Sequence, residues 1–212
     1  GLLNATMSYA NRQGTLVVAA AGNDAADLQS DDGNLIDVDG DGELERLDGG
    51  GWISLPNESA GVMSVAATGP IGFANELLGG SVSEPAETPA GYTNYGTNAV
   101  DLAAPGGNYD PTMTDPVFGV PAFALDLVFS TVTTVVTDDD GNYAGSVPAY
   151  GWKAGTSMAA PNVAGAAALV KSANPAYNVN QLRSALENAA DVPEEYGKEY
   201  YGSGYLNVVD AL

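Results

Sequence analysis

Apolar residues recur along this chain with helical spacing in two places and with strand-like character in two others. The helical spacing puts apolar side chains on one face, namely Leu3, Met7 and Ala10 before Gly14, and later Leu182, Ala185, Leu186 and Ala189. A β-branched run at residues 132–136 is followed at residues 138–142 by an Asp-rich segment typical of a hairpin turn. The pattern therefore predicts two helices and a β-hairpin.

The other strand-like run, residues 17–21, consists of valine and alanine alone. Small and β-branched residues without polar alternation are typical of a parallel strand buried on both faces. Gly22 and Asn23 follow the run directly. Because α/β sheets carry their ligand sites at the carboxyl ends of parallel strands, the pattern predicts that Asn23 lies at such a site. The alternative is that Asn23 is an ordinary turn residue after a strand.

Small residues also surround a serine in the segment GTSMAAPNVAG, residues 155–165. We expect a helix to begin close to Ser157, because Pro161 is tolerated only within the first turn of a helix. The unpaired N–H groups and the helix dipole at that end favour negative charge developing near the serine hydroxyl. The alternative interpretation is that Gly155, Thr156 and Ser157 cap a buried helix and do no chemistry.

The segment GTSMAAPNVAG resembles the nucleophile segment of the subtilisin-like serine proteases, and the strand before Asn23 resembles the one that carries their oxyanion-hole asparagine. Further segments resemble the same family in the same order, at residues 56–67, 92–96, 100–106 and 201–212. The resemblance implies an α/β fold, the subtilisin-like three-layer fold with a mostly parallel sheet. Residues 1–212 would form its C-terminal part, with an acidic insertion at about residues 24–51.

The resemblance also implies a function, that of a serine endopeptidase that acts on peptide or protein substrates through an acyl-enzyme. Ser157 would be the nucleophile. The side-chain amide of Asn23 and a backbone N–H at Ser157 would donate hydrogen bonds to the substrate oxygen that becomes negative. Two walls of the pocket for the side chain before the scissile bond would come from Ala20, Ala21 and Gly22 and from Ser54 and Leu55.

The chain departs from this family in one respect, since it contains no histidine. In the family a histidine oriented by an aspartate takes the serine proton, and subtilisin orders the triad Asp, His, Ser along the chain. We therefore expect both residues in an upstream half of the same catalytic domain, and we expect residues 1–212 alone to be close to inert. Sedolisins, which share a Gly-Thr-Ser segment, use a glutamate base with an aspartate in the oxyanion role. Asn23 and the residues after Ser157 favour the subtilisin-like alternative.

The acidic insertion contains a candidate metal site over residues 37–48, DVDGDGELERLD. Its oxygen donors have the spacing of an EF-hand loop. The predicted ligands are Asp37, Asp39, Asp41, Glu43 through its backbone carbonyl, and Asp48. The last ligand is Asp where a bidentate Glu is usual, so we expect an isolated structural calcium loop. Closely spaced carboxylates repel each other unless a cation neutralises them, which favours a bound calcium ion. The alternative is a solvated acidic hairpin without an ion.

Composition adds expectations about partners and location. The 27 acidic and 6 basic residues give a formal net charge of −21, which repels phosphate backbones, so we expect no nucleic-acid partner. No apolar run is long enough to span a bilayer, so we expect no membrane partner, and the composition fits a secreted or extracellular enzyme. The competing class is a non-catalytic, calcium-stabilised binding or structural module that keeps the fold without proteolysis.

Overall fold

In the part of the chain that the structure describes, helices come first and last along the sequence, and all the strands lie between them. The computed structural model describes residues 1–29 and 53–212, together with the backbone of residues 35–36 and 45–46. Its strands are β1 (Val17–Ala20), β2 (Leu35–Ile36), β3 (Glu45–Arg46), β4 (Val62–Thr68), β5 (Leu102–Pro105), β6 (Pro116–Val117), β7 (Val120–Pro121), β8 (Val128–Thr137) and β9 (Tyr143–Lys153). Its α-helices are α1 (Leu2–Arg12), α2 (Phe73–Leu77), α3 (Thr156–Ala173), α4 (Val179–Asn188), α5 (Lys198–Tyr201) and α6 (Val208–Ala211), with a 3₁₀ helix at Ala122–Asp126.

A parallel sheet in the order β1-β4-β5 lies at the centre of the fold. Every residue of β4 is buried, because this strand has a neighbour on each side. The predicted strand at residues 17–21 is confirmed as a parallel strand that ends at Ala20. Its predicted burial on both faces is wrong for the part of the chain that the structure describes. Within β1 Ala19 alone is buried, because no described strand pairs with its outer edge.

Helices α3 and α4 pack on one face of the sheet through small and branched apolar residues. Val163 and Val170 of α3 pack with Val65 and Leu102 in the main core cluster. Helix α4 begins at a reciprocal cap between the side chains and backbones of Asn178 and Gln181, and it buries the predicted Leu182 and Leu186. The opposite face of the sheet packs against the C-terminal segment, where Tyr201 is fully buried in a cluster with Ala66 and Ala103.

The other sequence-based elements are largely confirmed. Helix α1 turns Leu3, Met7 and Ala10 to its half-buried face. Strands β8 and β9 form the predicted hairpin, and Asp138 accepts hydrogen bonds from the N–H groups of Asp140 and Asn142 in its turn (3.1 and 2.8 Å). None of the helices in the described part of the chain combines the length and apolar character that crossing a bilayer requires.

The predicted place of Pro161 in the first helical turn is wrong. Helix α3 begins at Thr156, so Pro161 is its sixth residue and lies in the second turn. The proline lacks an N–H, and the Ser157 carbonyl therefore has no donor four residues ahead. The helix nevertheless begins one residue before Ser157, close to it as predicted.

Candidate active site

The carboxyl end of β1 and the first turn of α3 meet through a network of three hydrogen bonds. The Oδ1 atom of Asn23 accepts hydrogen bonds from the backbone N–H of Thr156 (2.9 Å) and from its hydroxyl (3.0 Å). The backbone N–H of Gly22 donates to the same hydroxyl oxygen at 3.1 Å. Thr156 is fully buried, whereas Asn23 and Ser157 are exposed. The asparagine therefore caps the helix and stays on the surface beside Ser157.

Two glycines allow the end of β5 to approach this helix start. The N–H of Gly155 donates to the carbonyl of Gly106 at 3.0 Å. A Cβ at Gly106 would lie 2.7 Å from the Gly155 carbonyl oxygen and 2.6 Å from the Cβ of Ala67, so a larger residue does not fit there. Gly155 itself has φ +153°, which favours glycine. Helix α3 is thus held at a fixed position over the carboxyl ends of β4 and β5.

This arrangement leaves two hydrogen-bond donors and one hydroxyl available at the surface. Because Oδ1 of Asn23 is engaged by Thr156, its amide Nδ2 is the group left to donate outwards. Within residues 1–29 and 53–212, neither this nitrogen nor the N–H and hydroxyl of Ser157 has a protein partner. An exposed hydroxyl at a helix N-terminus is suited to attack on a carbonyl carbon. The two donors beside it can stabilise the oxygen that becomes negative in that attack.

A buried residue that sequence reasoning missed, Asn94, holds the loop after β1. Its Oδ1 accepts hydrogen bonds from the N–H groups of Asp24 (2.9 Å) and Ala26 (3.0 Å). Its Nδ2 donates to the carbonyl of Ala21 (3.0 Å) and to the carboxylate of Asp24 (3.1 Å). The side chain packs so closely that a Cβ at Gly22 would lie 2.2 Å from Nδ2. The segment YTNYG around Asn94 resembles the subtilisin-like family. The spacing of residues along the chain does not indicate that the Asn94 side chain bonds to residues about 70 positions away.

Comparison with known proteins identifies the architecture. The sequence profile of the subtilase family matches residues 2–204. The chain belongs to the subtilase family. Minor extracellular protease Vpr of Bacillus subtilis is 31% identical over 122 residues, which are 55% of this chain and 14% of that protein. Subtilisin BL of Lederbergia lenta is 32% identical over 158 residues, 70% of this chain and 45% of that protein.

A solved protease of Pseudoalteromonas arctica has the same fold as this subtilase, with a TM-score of 0.62 and 28% identity. The superposition covers 98% of this chain and 45% of that protein. The chain therefore spans less than half the length of each of these relatives. The subtilisin-like fold inferred from the sequence is confirmed.

The predicted substrate pocket stays a prediction. The N–H of Ala21 donates to Val65 at 3.0 Å and its carbonyl accepts from Asn94, so both of its backbone polar groups have partners. Leu55 is exposed, and the N–H of Ser54 donates to Glu58 at 2.6 Å. A cavity of about 170 Å³ lies against Leu55, but its other walls come from the start of α1 and from the loop before β4. Neither Ala20 nor Gly22 lines that cavity.

The predicted metal ligands lie outside the described residues. These are Asp37, Asp39, Asp41, Glu43 and Asp48. Within the described residues, no group of three acidic side chains is placed to hold a metal ion. The donor set of the predicted loop consists of oxygens alone, which suits calcium.

Proposed function

We propose that this chain is the nucleophile-bearing part of a subtilisin-like serine endopeptidase that cleaves peptide or protein substrates. The observation that supports the proposal is the exposed Ser157 at the start of α3, beside the amide of Asn23 that the buried Thr156 orients. A residue that served only as a helix cap would need no exposed hydroxyl and no free amide beside it. Membership of the family supports the same conclusion.

In the proposed reaction, Oγ of Ser157 attacks the carbonyl carbon of the scissile bond. The carbonyl oxygen becomes negative and accepts hydrogen bonds from Nδ2 of Asn23 and from the N–H of Ser157. Collapse of this intermediate expels the amine and leaves an acyl group on Ser157, which water then hydrolyses. A base must take the serine proton and return it to the leaving amine. The chain contains no histidine to do this.

We propose that an upstream segment of the same catalytic domain supplies the histidine and its aspartate. Two surfaces support this partner. The outer edge of β1 has no strand partner among the described residues. The outer face of α3 is exposed, and it carries the small residues Ala164, Gly165 and Ala168 beside the exposed Leu169. A Cβ at Gly165 would have no atom within 4 Å, so another element can approach this face closely.

Labelling with a fluorophosphonate tests the proposed function. The protein with its upstream segment should form one covalent adduct, and peptide mapping should locate it on Ser157. The competing non-catalytic module predicts no adduct at all. An adduct on another residue would also contradict the proposal.

Replacing Asn94 with alanine should lower kcat by about tenfold to a hundredfold with little change in KM. The substitution removes four hydrogen bonds from the loop that carries Asn23, and small displacements of catalytic groups cost up to about 10²-fold. Steady-state kinetics of the protein with its upstream segment measures the split between kcat and KM. Asn98→Ala is the matched control, because Asn98 is exposed in the loop that contains Asn94. Equal kcat values for the two variants would show that Asn94 does not position the site.

We also propose that the acidic loop binds a structural calcium ion through the oxygens of Asp37, Asp39, Asp41, Glu43 and Asp48. Calcium that binds the folded protein alone should stabilise it by about 2.7 kcal/mol at a hundredfold excess over Kd. Tm should therefore rise with added calcium and fall with a chelator. Asp39→Asn and Asp41→Asn together should abolish the response, while Asp138→Asn in the hairpin turn should not. Equal Tm values with calcium and with chelator would identify a solvated acidic loop.

We infer an extracellular location for the whole protein. Minor extracellular protease Vpr, whose name states that location, supports the inference. The net charge of −21 is the argument against a nucleic-acid partner, because phosphate groups would be repelled.

A further inference from the structure

A tyrosine-lined pocket of about 380 Å³ lies beside the loop that carries Asn23. Three tyrosine rings form part of its wall, those of Tyr95, Tyr196 and Tyr200. The remaining lining comes from Ala25, Pro89, Ala90, Gly91 and Thr93. This volume is at the lower end of the range for small-molecule sites and is sufficient for one long side chain.

The pocket shares its framework with the candidate active site. Ala25 lines the pocket and follows Asn23 by two residues, so their Cα atoms are at most about 7.6 Å apart. The N–H of Ala25 donates to the carbonyl of Tyr92 at 2.9 Å. Thr93 lines the pocket, and its neighbour Asn94 bonds to the loop around Asn23. The pocket wall is therefore continuous with the loop that carries Asn23, the proposed oxyanion donor.

Two of the three lining tyrosines pack against each other. The rings of Tyr95 and Tyr200 have their centroids 4.9 Å apart and their planes tilted by 34°. Such rings attract a cation placed over their faces, and tyrosine and tryptophan are favourable partners for this contact. An aliphatic stem would pack against Pro89 and Ala25 at the same time.

Two carboxylates act on the aromatic wall through Tyr200. Asp27 forms a backbone bridge with Tyr95, and Glu199 precedes Tyr200 in α5. Burial, followed by the influence of Tyr95, Glu199 and Asp27, raises the pKa of the Tyr200 hydroxyl. The hydroxyl thus stays neutral at ordinary pH. Lys198, the cation on the same helix, does not line the pocket.

We propose that this pocket binds the cationic side chain of an arginine or lysine residue in the peptide substrate. The proposal rests on the proposed endopeptidase function and adds a substrate preference to it. A guanidinium or ammonium group would lie over the tyrosine rings, where the carboxylates that act on Tyr200, those of Asp27 and Glu199, would also attract it. Charge complementarity between a basic peptide and this strongly acidic protein would also speed their encounter.

Hydrolysis of matched peptides tests the proposal in the protein that carries its upstream segment. Each quenched fluorescent peptide has arginine, its uncharged isostere citrulline, or phenylalanine at one position, and the position is moved along the peptide. We expect kcat/KM to favour arginine over citrulline by about tenfold at one position, with a smaller ratio at high salt. A preference for phenylalanine over arginine at that position would overturn the proposal, since it would indicate an apolar subsite.

Four variants locate the preference in the pocket. Tyr200→Leu should abolish the arginine preference, whereas Tyr200→Phe, which keeps the ring, should retain it. Glu199→Gln should reduce the arginine-to-citrulline ratio of kcat/KM without altering the aromatic wall. This variant therefore tests the pocket even if Tyr200→Leu does not fold. Lys198→Gln is the matched control on the same helix and should not reduce the ratio. An unchanged ratio in both Tyr200→Leu and Glu199→Gln would overturn the proposal.

A peptide-binding measurement distinguishes failure of this pocket from failure of the proposed endopeptidase function. Equilibrium binding of the arginine peptide and its citrulline twin is measured with the Ser157→Ala protein, which needs no catalysis. Tighter binding of the arginine peptide that Tyr200→Leu removes would support the pocket even if fluorophosphonate labelling failed. Labelling and hydrolysis with equal binding of the two peptides would overturn the pocket and leave the protease function standing.

Discussion

Replacing Ser157 with alanine is expected to lower kcat by about 10⁶-fold in the protein that carries its upstream segment, a magnitude taken from loss of the nucleophile in subtilisin. The expected loss is this large because no acyl-enzyme can form without the hydroxyl. The helix start and the Asn23 amide would remain, since Asn23 bonds to Thr156 and not to the serine side chain. Those donors alone should leave a residual rate above that of the uncatalysed reaction. Single-turnover hydrolysis of a peptide substrate measures the loss.

The control for this variant is another serine of the same helix. Ser172 is exposed on α3, and Ser172→Ala removes a hydroxyl of the same kind far from the helix start. Its kcat and its fluorophosphonate adduct should match those of the unmodified protein. A Ser157→Ala protein that still forms an adduct or still hydrolyses peptides at an appreciable rate would exclude Ser157 as the nucleophile.

Local patterns in the sequence were sufficient for the strand, the helix start and the hairpin. Residues 17–20 form a parallel strand because small and β-branched side chains pack well there, and α3 begins next to Ser157 because Asn23 satisfies the N–H of Thr156. The exact turn that holds Pro161 was predicted wrongly. The sequence pattern does not show that a side chain from the loop after β1, that of Asn23, provides the cap and sets the first helical residue.

Contacts between distant segments were beyond what spacing could predict. Asn94 is bonded to residues 21–26, and the tyrosine-lined pocket joins residue 25 to residues 89–95 and 196–200. Each of these segments is unremarkable alone, because a tyrosine in a loop and an asparagine in a turn have no period that marks burial. Their roles depend on which distant segments the fold brings together.

The edge of β1 illustrates a different limit. Its apolar composition predicts a strand with neighbours on both sides, yet the described residues provide one neighbour, β4. An apolar strand with an open edge is a surface on which another strand can pair. The open edge of β1 is therefore the place where we expect strands of the proposed upstream half to pair.

Residues 1–212 expressed alone are expected to hydrolyse peptides barely above background, and adding the upstream half should restore activity. Without a histidine this chain has no group that matches the base of its family. In subtilisin, removal of the base costs about as much as removal of the whole triad, about 10⁶-fold, so the recovery should be of that order. Pairing at the edge of β1 and packing on the small-residue face of α3 would hold the two halves together. Mixing purified halves and measuring hydrolysis tests the prediction.

An upstream half with alanine in place of its catalytic histidine provides the control, because it should bind residues 1–212 without restoring hydrolysis. Placing arginine at Gly165 should weaken restoration, since it puts a long charged side chain on the exposed face of α3. Arginine at Ala176, exposed beyond the end of that helix, should leave restoration unchanged. Strong hydrolysis by the purified 212-residue chain, blocked by a serine-directed reagent, would contradict the prediction. The proton of Ser157 would then have to pass to a carboxylate or another base within this chain.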